Sequence, residues 1–394
     1  MKKMLGKRSY IAKVAYLVLL CGMILLLTAA MGEGCNSCQP KPAEQKKPIE
    51  IGVIFPLSGN LSYVGQMLAD GMKLAEADIN IKGGINGAPL KLIFDDSQGK
   101  PDVAVTVAQK MLSVNKVPII FTALSSVTLG VQPVVENNNA VLIGLCMHPE
   151  FFKGHPNTFR LYEGAEQEGE ALGKYLAGLA GSQPTSVLGI IYADVPNIVE
   201  EIEKYIKPPM VQAGMDFKVS EPYLLSDKEF RDKVLKVRQA GVTHLVILGY
   251  GFEYPNIFRE LKAQQLLPGI PIVGGWGFLY PQVPKEDLEG VIVIGPEFVF
   301  TDSPIVKDFQ ARFQQKFNYA PNFDAALAYN SVMMTADGLR RSFKINPSDI
   351  VKSLNDISEY QGILGKVQVD EQGALKMMIG IGVYRKGTLV TLKK

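Results

Sequence analysis

From Ile49 onward, short apolar runs rich in β-branched residues alternate with amphipathic helical stretches, and this alternation restricts the fold more than any composition figure does. Strand runs separated by long helical stretches do not pair as hairpins. They build βαβ units around a parallel sheet covered on both faces. "IEIGVIF" reads as the first strand. The helix after it, about Val64 to Asn80, sets Leu68, Met72, Ala75 and Ile79 on one face at spacings of four, three and four. Gly83-Gly84 end that helix, and Asn86-Gly87 suits a tight turn with positive φ. The strand "LKLIF", a helix near Val103 to Val114, and the strands "VPIIFT" and "AVLIGL" follow.

The pattern then restarts near Glu166. "EQEGEALGKYLAGLAG" is helical, "SVLGIIYA" is a buried strand, and "NIVEEIEKYIKPPMVQAG" is a helix kinked or ended by Pro208-Pro209. Next come the strand "KVSEPYLL", a helix from about Lys228 to Ala240, "HLVILGY", a helix to about Leu266, "IPIVGG" and "GVIVIGP". The expected fold is therefore α/β, with two doubly wound, Rossmann-like lobes. Past Pro296 come further helices and then strands with bends at Gly373 and Lys386-Gly387, a segment better used to complete the two lobes than as a third domain.

The first 34 residues have a different character. Lys2, Lys3, Lys7, Arg8 and Lys13 precede the apolar run "VAYLVLLCGMILLLTAA", which reads as a signal peptide, with an uncleaved membrane anchor as the alternative. Against Glu33 these residues carry +4 of the chain's net +2, leaving −2 for the remainder, which has none of the footprint of a nucleic-acid binder. Residues 35–47 form a Pro/Lys-rich tether. Cys35 follows a small residue, as in a lipoprotein cleavage site, although Gly32 and Glu33 depart from that pattern. Cys35-x-x-Cys38 has no second pair, so a metal or redox reading is weak.

Catalytic and cofactor signatures are scarce. "FPLSGN" lacks the Gly-Lys-Ser/Thr ending of a phosphate loop, and neither G-x-G-x-x-G after a strand nor G-x-S-x-G occurs. His148, His155 and His244 form no metal-binding pair. No enzyme, cofactor or metal site is expected. Asp95 and Asp96 end a strand, where they read as turn residues before a helix capped near Asp102.

The residues that suggest binding are small, hydroxylic and aromatic. "TALSSVT" joins a strand to a helix start, where Ser125 and Ser126 with free main-chain N–H groups can cradle a carboxylate or simply cap the helix. The strand end "IGLCMHPEF" contributes Leu145, Cys146 and Met147. "YADVPN", "LGYGFEY" and "GGWGF" place Tyr192, Asn197, Tyr250 and Trp276 at strand ends of the second lobe, which suggests a lined cleft. Tyr63 or Val64, after "PLSGN", would form one wall, and Glu166 opens the second lobe beside it.

Together "IGVIFPLSG", "ADINIKGGINGAPLKLIFDDSQGKPDVAV", "ALSS", "HPEFF", "GYGFEY" and "NFDAALAY" resemble the type I periplasmic substrate-binding proteins of ABC transporters, in the branched-chain amino acid (Leu/Ile/Val) group. The resemblance runs from about Ile49 to the end. It implies two lobes joined by three hinge crossings, one of about 48–165 plus 296–375 and the other of 166–295 plus 376–394. It also implies a monomeric, exported receptor, at the periplasm or the outer face of the cytoplasmic membrane, that delivers a small ligand to a permease. A ligand sensor of the same fold, of the amide-responsive kind, is the other reading.

By this resemblance Ser126 matches the serine that binds the ligand carboxylate, and Tyr250 matches a tyrosine facing the amino-acid backbone. The expected threonine has no counterpart, Met147 being nearest. Asn197 stands where a tyrosine is usual, and the acid that neutralises the ammonium falls at Trp276. A buried ammonium without an anion is very unfavourable. The expectation is therefore a retained carboxylate end and an altered ammonium end, suited to an aromatic or apolar carboxylate or an amide. The alternative is an acid supplied from elsewhere, by Glu253 or Glu297.

Overall fold

The protein is described from a computed structural model, over residues 46–148, 152–183, 185–279, 282–300 and 303–392. The expected signal peptide, most of the tether including Cys35, and part of "HPEFF" lie outside these residues. Residues 47–394 form one compact unit.

The first lobe begins with β1 (Ile49–Phe55), α1 (Ser62–Ile81), β2 (Leu90–Asp96), α2 (Pro101–Lys110), β3 (Ile119–Ala123), α3 (Ser125–Asn137), β4 (Val141–Leu145) and β5 (Thr158–Arg160). These strands make one parallel sheet in the order β2-β1-β3-β4-β5. Its two faces follow from the period-two alternation of a buried strand. Ile51, Val53 and Phe55 enter one hydrophobic cluster, and Ile54 and Ile120 enter another on the opposite face. The short β5, absent from the sequence expectation, is too brief for its pattern to be read.

The second lobe follows with α4 (Ala165–Ser182), β6 (Leu188–Ala193), α5 (Pro196–Glu201), α6 (Lys207–Gln212), β7 (Phe217–Tyr223), α7 (Arg231–Gln239), β8 (His244–Leu248), α8 (Tyr254–Ala263), β9 (Ile272–Gly274) and β10 (Ile292–Pro296). One expectation changes here. Pro208-Pro209 do not end the helix, because a π-helical turn at Ile202–Ile206 joins α5 to α6 and the prolines fall in the first turn of α6. The irregular π turn just before them is where the regular i to i−4 ladder that prolines interrupt is already broken.

The chain returns to lobe one with α9 (Pro304–Phe317), α10 (Phe323–Arg341), α11 (Pro347–Asn355) and a small antiparallel sheet of β11 (Glu359–Gly362), β12 (Gly365–Val369) and β13 (Leu375–Lys376). It then crosses back to add β14 (Ile379–Arg385) and β15 (Thr388–Thr391) antiparallel at the edge of the second sheet, whose order is β15-β14-β10-β9-β8-β6-β7. The chain thus leaves the first sheet after Arg160, leaves the second sheet after Pro296, and rejoins the second sheet at Ile379 after Lys376. Phe309, Phe313, Leu327 and Leu339 join the first lobe's core, and Leu172, Val246 and Phe258 the second lobe's.

Candidate functional site

The parallel strands of both sheets point their carboxyl ends at the same space. In open α/β sheets this is where ligands bind, because the chain leaves each strand there in a loop and a helix N-terminus. A cavity of about 50 Å³ lies between these ends. Lobe one supplies Val64 and Leu68 from α1, the Ala123–Ser125 turn after β3, and Leu145, Cys146 and Met147 after β4. Lobe two supplies Asn197 and Ile198 from α5, the Leu248–Tyr250 turn after β8, and Trp276 after β9. Of the residues singled out from sequence, Val64, Ser125, Leu145, Cys146, Met147, Asn197, Tyr250 and Trp276 line this cavity.

Three others lie elsewhere. Ser126 is exposed at the first turn of α3, turned away from the cavity that its neighbour Ser125 lines. Tyr63 stands beside the cavity and donates its phenol hydrogen bond across the cleft to the main-chain oxygen of Tyr250, at 2.5 Å. Glu166 is engaged at the first crossing between lobes. The fully buried Arg160 donates to both its carboxylate oxygens, one bond measuring 3.0 Å, and Lys376 reaches it at 3.3 Å. Burial alone would raise the Glu166 carboxyl, but the Arg160 hydrogen bonds and charge hold it below the usual range. Gln167 secures the third passage, donating to Leu375 O at 3.0 Å and accepting from Met377 N–H at 2.8 Å.

The serine turn is built differently from a capped helix. Leu124 occupies the N-cap of α3 with φ of 71°, a left-handed conformation that costs a non-glycine residue about 1–3 kcal/mol. An aliphatic side chain accepts nothing, so neither serine serves as the cap. The first N–H groups of α3, beside Ser125, keep the anion-attracting character of a helix N-terminus at the cavity wall.

The preceding loop is tied down by Asp96. Its carboxylate accepts from the N–H groups of Leu57 (2.8 Å) and Gln98 (2.7 Å) and from Ser58 Oγ (2.6 Å). Burial would raise this carboxyl, but the bonds from Ser58, Gln98 and Leu57 bring it below its ordinary value. Asp96 therefore shapes the "PLSGN" turn, as its turn reading implied.

Trp276 does stand in the loop after β9, but its indole N–H is spent within the protein. It donates to the phenol of Tyr162, which donates in turn to Asp324 Oδ1 at 2.8 Å. The Tyr250 and Trp276 rings meet edge to face at 5.7 Å. Burial, then the charge of Glu253, pushes the Tyr250 phenol up to about 12, a shift moderated by Asn197. Glu253 does not line the cavity, since its carboxylate holds Tyr223 Oη–H (2.8 Å) and Tyr250 N–H (2.9 Å). Glu297 lies outside the lining as well, at the second crossing.

Two carboxyl groups that the sequence reading missed also line the cavity. Glu168, on α4, and Glu201, ending α5, both line the cavity while remaining 2% and 3% exposed. Glu168 Oε2 accepts the main-chain N–H of Trp276 at 2.9 Å. Gly275 makes room for it, because a Cβ there would fall 1.9 Å from Glu168 Oε1. Burial pushes the Glu168 carboxyl up to about 8. Glu201 is raised well above its ordinary value by burial first, then by the charges of Glu168, Glu163 and Glu166. The signal was present in the helix pattern, where Glu168 falls on the buried stripe of Ala165, Leu172 and Leu176, a place where a carboxylate needs a reason.

A family model described as "Periplasmic binding protein" matches residues 48–380. The leucine-, isoleucine-, valine-, threonine- and alanine-binding protein of Pseudomonas aeruginosa is 25% identical over 333 residues, 83% of this chain and 87% of that protein. Among solved structures, the branched-chain amino acid transporter substrate binding protein LivJ of Streptococcus pneumoniae, in complex with isoleucine, matches with a TM-score of 0.73 and 22% identity, over 88% of this chain and 100% of that one. A solute binding protein of an ABC transporter from Rhodopseudomonas palustris, in complex with 3,4-dihydroxybenzoic acid, matches with a TM-score of 0.77 and 15% identity, over 88% and 96%. The first match and the fold agree over nearly all of residues 47–394, and the chain belongs to the periplasmic binding protein family.

Proposed function

We propose that this protein is an extracytoplasmic receptor that closes its two lobes on a small amino acid and presents it to the permease of an ABC transporter. The observation that carries this reading is the cavity itself, walled by strand ends of both lobes, so that a ligand held there touches both and favours closure. Its walls are largely apolar, with Val64, Leu68, Leu145, Met147, Ile198 and Leu248 available to an aliphatic side chain. The α3 N-terminus with Ser125 suits a carboxylate. The names of the relatives, which include leucine, isoleucine and valine binding, support the same class.

The reading is of a binder rather than a catalyst. Cys146, the one thiol at the cavity, is pushed up by burial and stays a neutral thiol rather than an activated nucleophile. The basic and apolar N-terminal segment supports export, with residues 35–47 as the tether and Cys35 as a candidate lipid attachment point.

The test is thermal unfolding against a panel of amino acids and aromatic carboxylates. A ligand that binds only the folded state stabilises it by RT ln(1 + [L]/Kd), about 4 kcal/mol at a thousandfold excess over Kd. Leucine, isoleucine or valine should raise the melting temperature by several degrees. No shift with any amino acid would count against the proposal.

A further inference from the structure

The cavity is lined by two ionisable carboxyl groups and by no lysine, arginine or histidine. Glu168 is held in place by the Trp276 N–H. Glu201 is not: its Oε1 is buried with no hydrogen-bond partner, although the residue is only 3% exposed and faces the cavity. A buried carboxylate oxygen left without a donor is costly, and the fold makes room for it deliberately. The Glu201 side chain packs where a Cβ at Gly169 would come within 2.8 Å of its Cγ, just as Gly275 makes room for Glu168.

Resting on the receptor reading above, we infer that Glu168 and Glu201 form the cation-binding end of the cleft and receive the α-ammonium group of the ligand between them. The acid that the family resemblance places after β9, at Trp276, has moved to α4 and α5. The chemistry fits an organic ammonium better than a metal ion. Among the described residues no group of three or more His, Cys, Asp or Glu is arranged to hold a metal, and hard divalent cations require six or more oxygen ligands. An ammonium supplies three donors, enough for the orphaned Glu201 oxygen and the free face of Glu168. The same cavity is also lined by Ser125 at the α3 N-terminus, which suits a carboxylate, so the ligand class is a zwitterionic α-amino acid with an apolar side chain. A deaminated acid would keep the carboxylate contact at the α3 N-terminus and leave both glutamates without a cationic partner.

The test compares matched ligands on the purified full-length chain: leucine, 2-hydroxy-4-methylpentanoate, which lacks the amine, and benzoate. Calorimetry should show leucine binding at least a hundredfold more tightly than either acid. E168Q and E201Q should each weaken leucine at least tenfold, and should narrow its advantage over the hydroxy acid. Hydroxy acid or benzoate binding as tightly as leucine to the wild-type protein would overturn the inference while leaving the receptor reading intact, and needs no variant to fold. Wild-type affinity in both glutamine variants would overturn it too. Failure of all three ligands to bind would count against both the inference and the receptor reading for this class.

Discussion

The phenol of Tyr63 on α1 and the main-chain carbonyl of Tyr250 after β8 share a 2.5 Å hydrogen bond that joins lobe one to lobe two. Burial, and after it the charge of Glu253, raises the Tyr63 phenol well above its ordinary value, so it is a neutral donor at any working pH. Tyr63→Phe keeps the ring and removes this bond, worth about 1 kcal/mol net, or about fivefold in affinity. Because each lobe has its own hydrophobic core, the melting temperature of the ligand-free protein should hardly move. Stopped-flow measurement should place the loss in faster ligand release. Unchanged release with a lower melting temperature would assign Tyr63 to stability instead of closure.

Gly275 is the position where an added methyl group reads out the placement of Glu168. The new Cβ would lie 1.9 Å from Glu168 Oε1 and 2.9 Å from Oε2, so Gly275→Ala must displace the carboxylate and strain its bond to Trp276 N–H. Amino-acid affinity should fall at least tenfold, with a destabilisation of about 1–3 kcal/mol from overpacking. Calorimetry beside urea denaturation separates the two effects. Full affinity in a destabilised variant would remove Glu168 from the binding role.

The sequence and the structure meet most closely where a residue's role follows from its own strand or helix. The β1 to α1 turn, the β3 end at Ser125 and the β4 end at Met147 were legible because continuous apolar runs stop there. Trp276 and Tyr250 were legible as aromatics beside glycines. Glu168 was passed over because a charged residue near a helix start usually marks its solvated first turn, and Glu201 because the six-residue α5 is too short for its buried face to show in the sequence. Only the packing of α4 against the α5 segment turns these two inward. Ser126 and Ser125 differ by 100° around the helix, which a strand-end motif does not resolve. Glu166 belongs to Arg160, a pairing set by the chain crossing.

The buried acids give the ligand-free protein a pH signature. Burial pushes Glu168 to about 8, from an ordinary 4.5. Glu163 is also raised by burial first, then by Glu168 and Asp324, with Arg160 acting the other way and Glu166 adding to the rise. Glu201 follows the same direction through burial and then Glu168, Glu163 and Glu166. The Tyr162 phenol, raised by burial, remains neutral beside them. A raised folded-state value favours the protonated form, so this contribution is complete below the unfolded-state value and is lost as pH climbs through the folded one. The melting temperature should decline across about pH 4.5 to 8, and E168Q should flatten that decline. Leucine affinity should run oppositely, tightening with pH because an ammonium prefers ionised carboxylates. A decline that E168Q leaves untouched would place it on other groups.

The interface between α1 and α10 makes a prediction confined to stability. A Cβ at Gly71 would stand 2.1 Å from the carbonyl oxygen of Ala325, a main-chain atom that cannot swing aside. Gly71→Ala must separate the two helices, and overpacking of this kind costs about 1–3 kcal/mol. Urea denaturation should register that loss in lobe one, with ligand affinity within about twofold of wild type. Stability equal to wild type would mean that the helices can slide apart without cost.

Trp276 extends the connection between lobes beyond Tyr63. It follows β9 of lobe two, yet its ring packs into the hydrophobic cluster of lobe one, and its indole N–H donates to Tyr162, itself bonded to Asp324 at 2.8 Å. Trp276→Phe retains an aromatic ring against Tyr250 but leaves the Tyr162 oxygen without this donor. Each missing bond to a buried partner costs about 1–3 kcal/mol, and here Trp276 comes from lobe two while Asp324 comes from lobe one. The cost should therefore appear as weaker ligand binding, about tenfold or more, rather than as a lower melting temperature of the ligand-free protein. Combined with Tyr63→Phe, the losses should exceed their sum if both bonds form in one closing step, and add if they form independently. A simple sum would overturn the view that one cooperative movement makes both contacts.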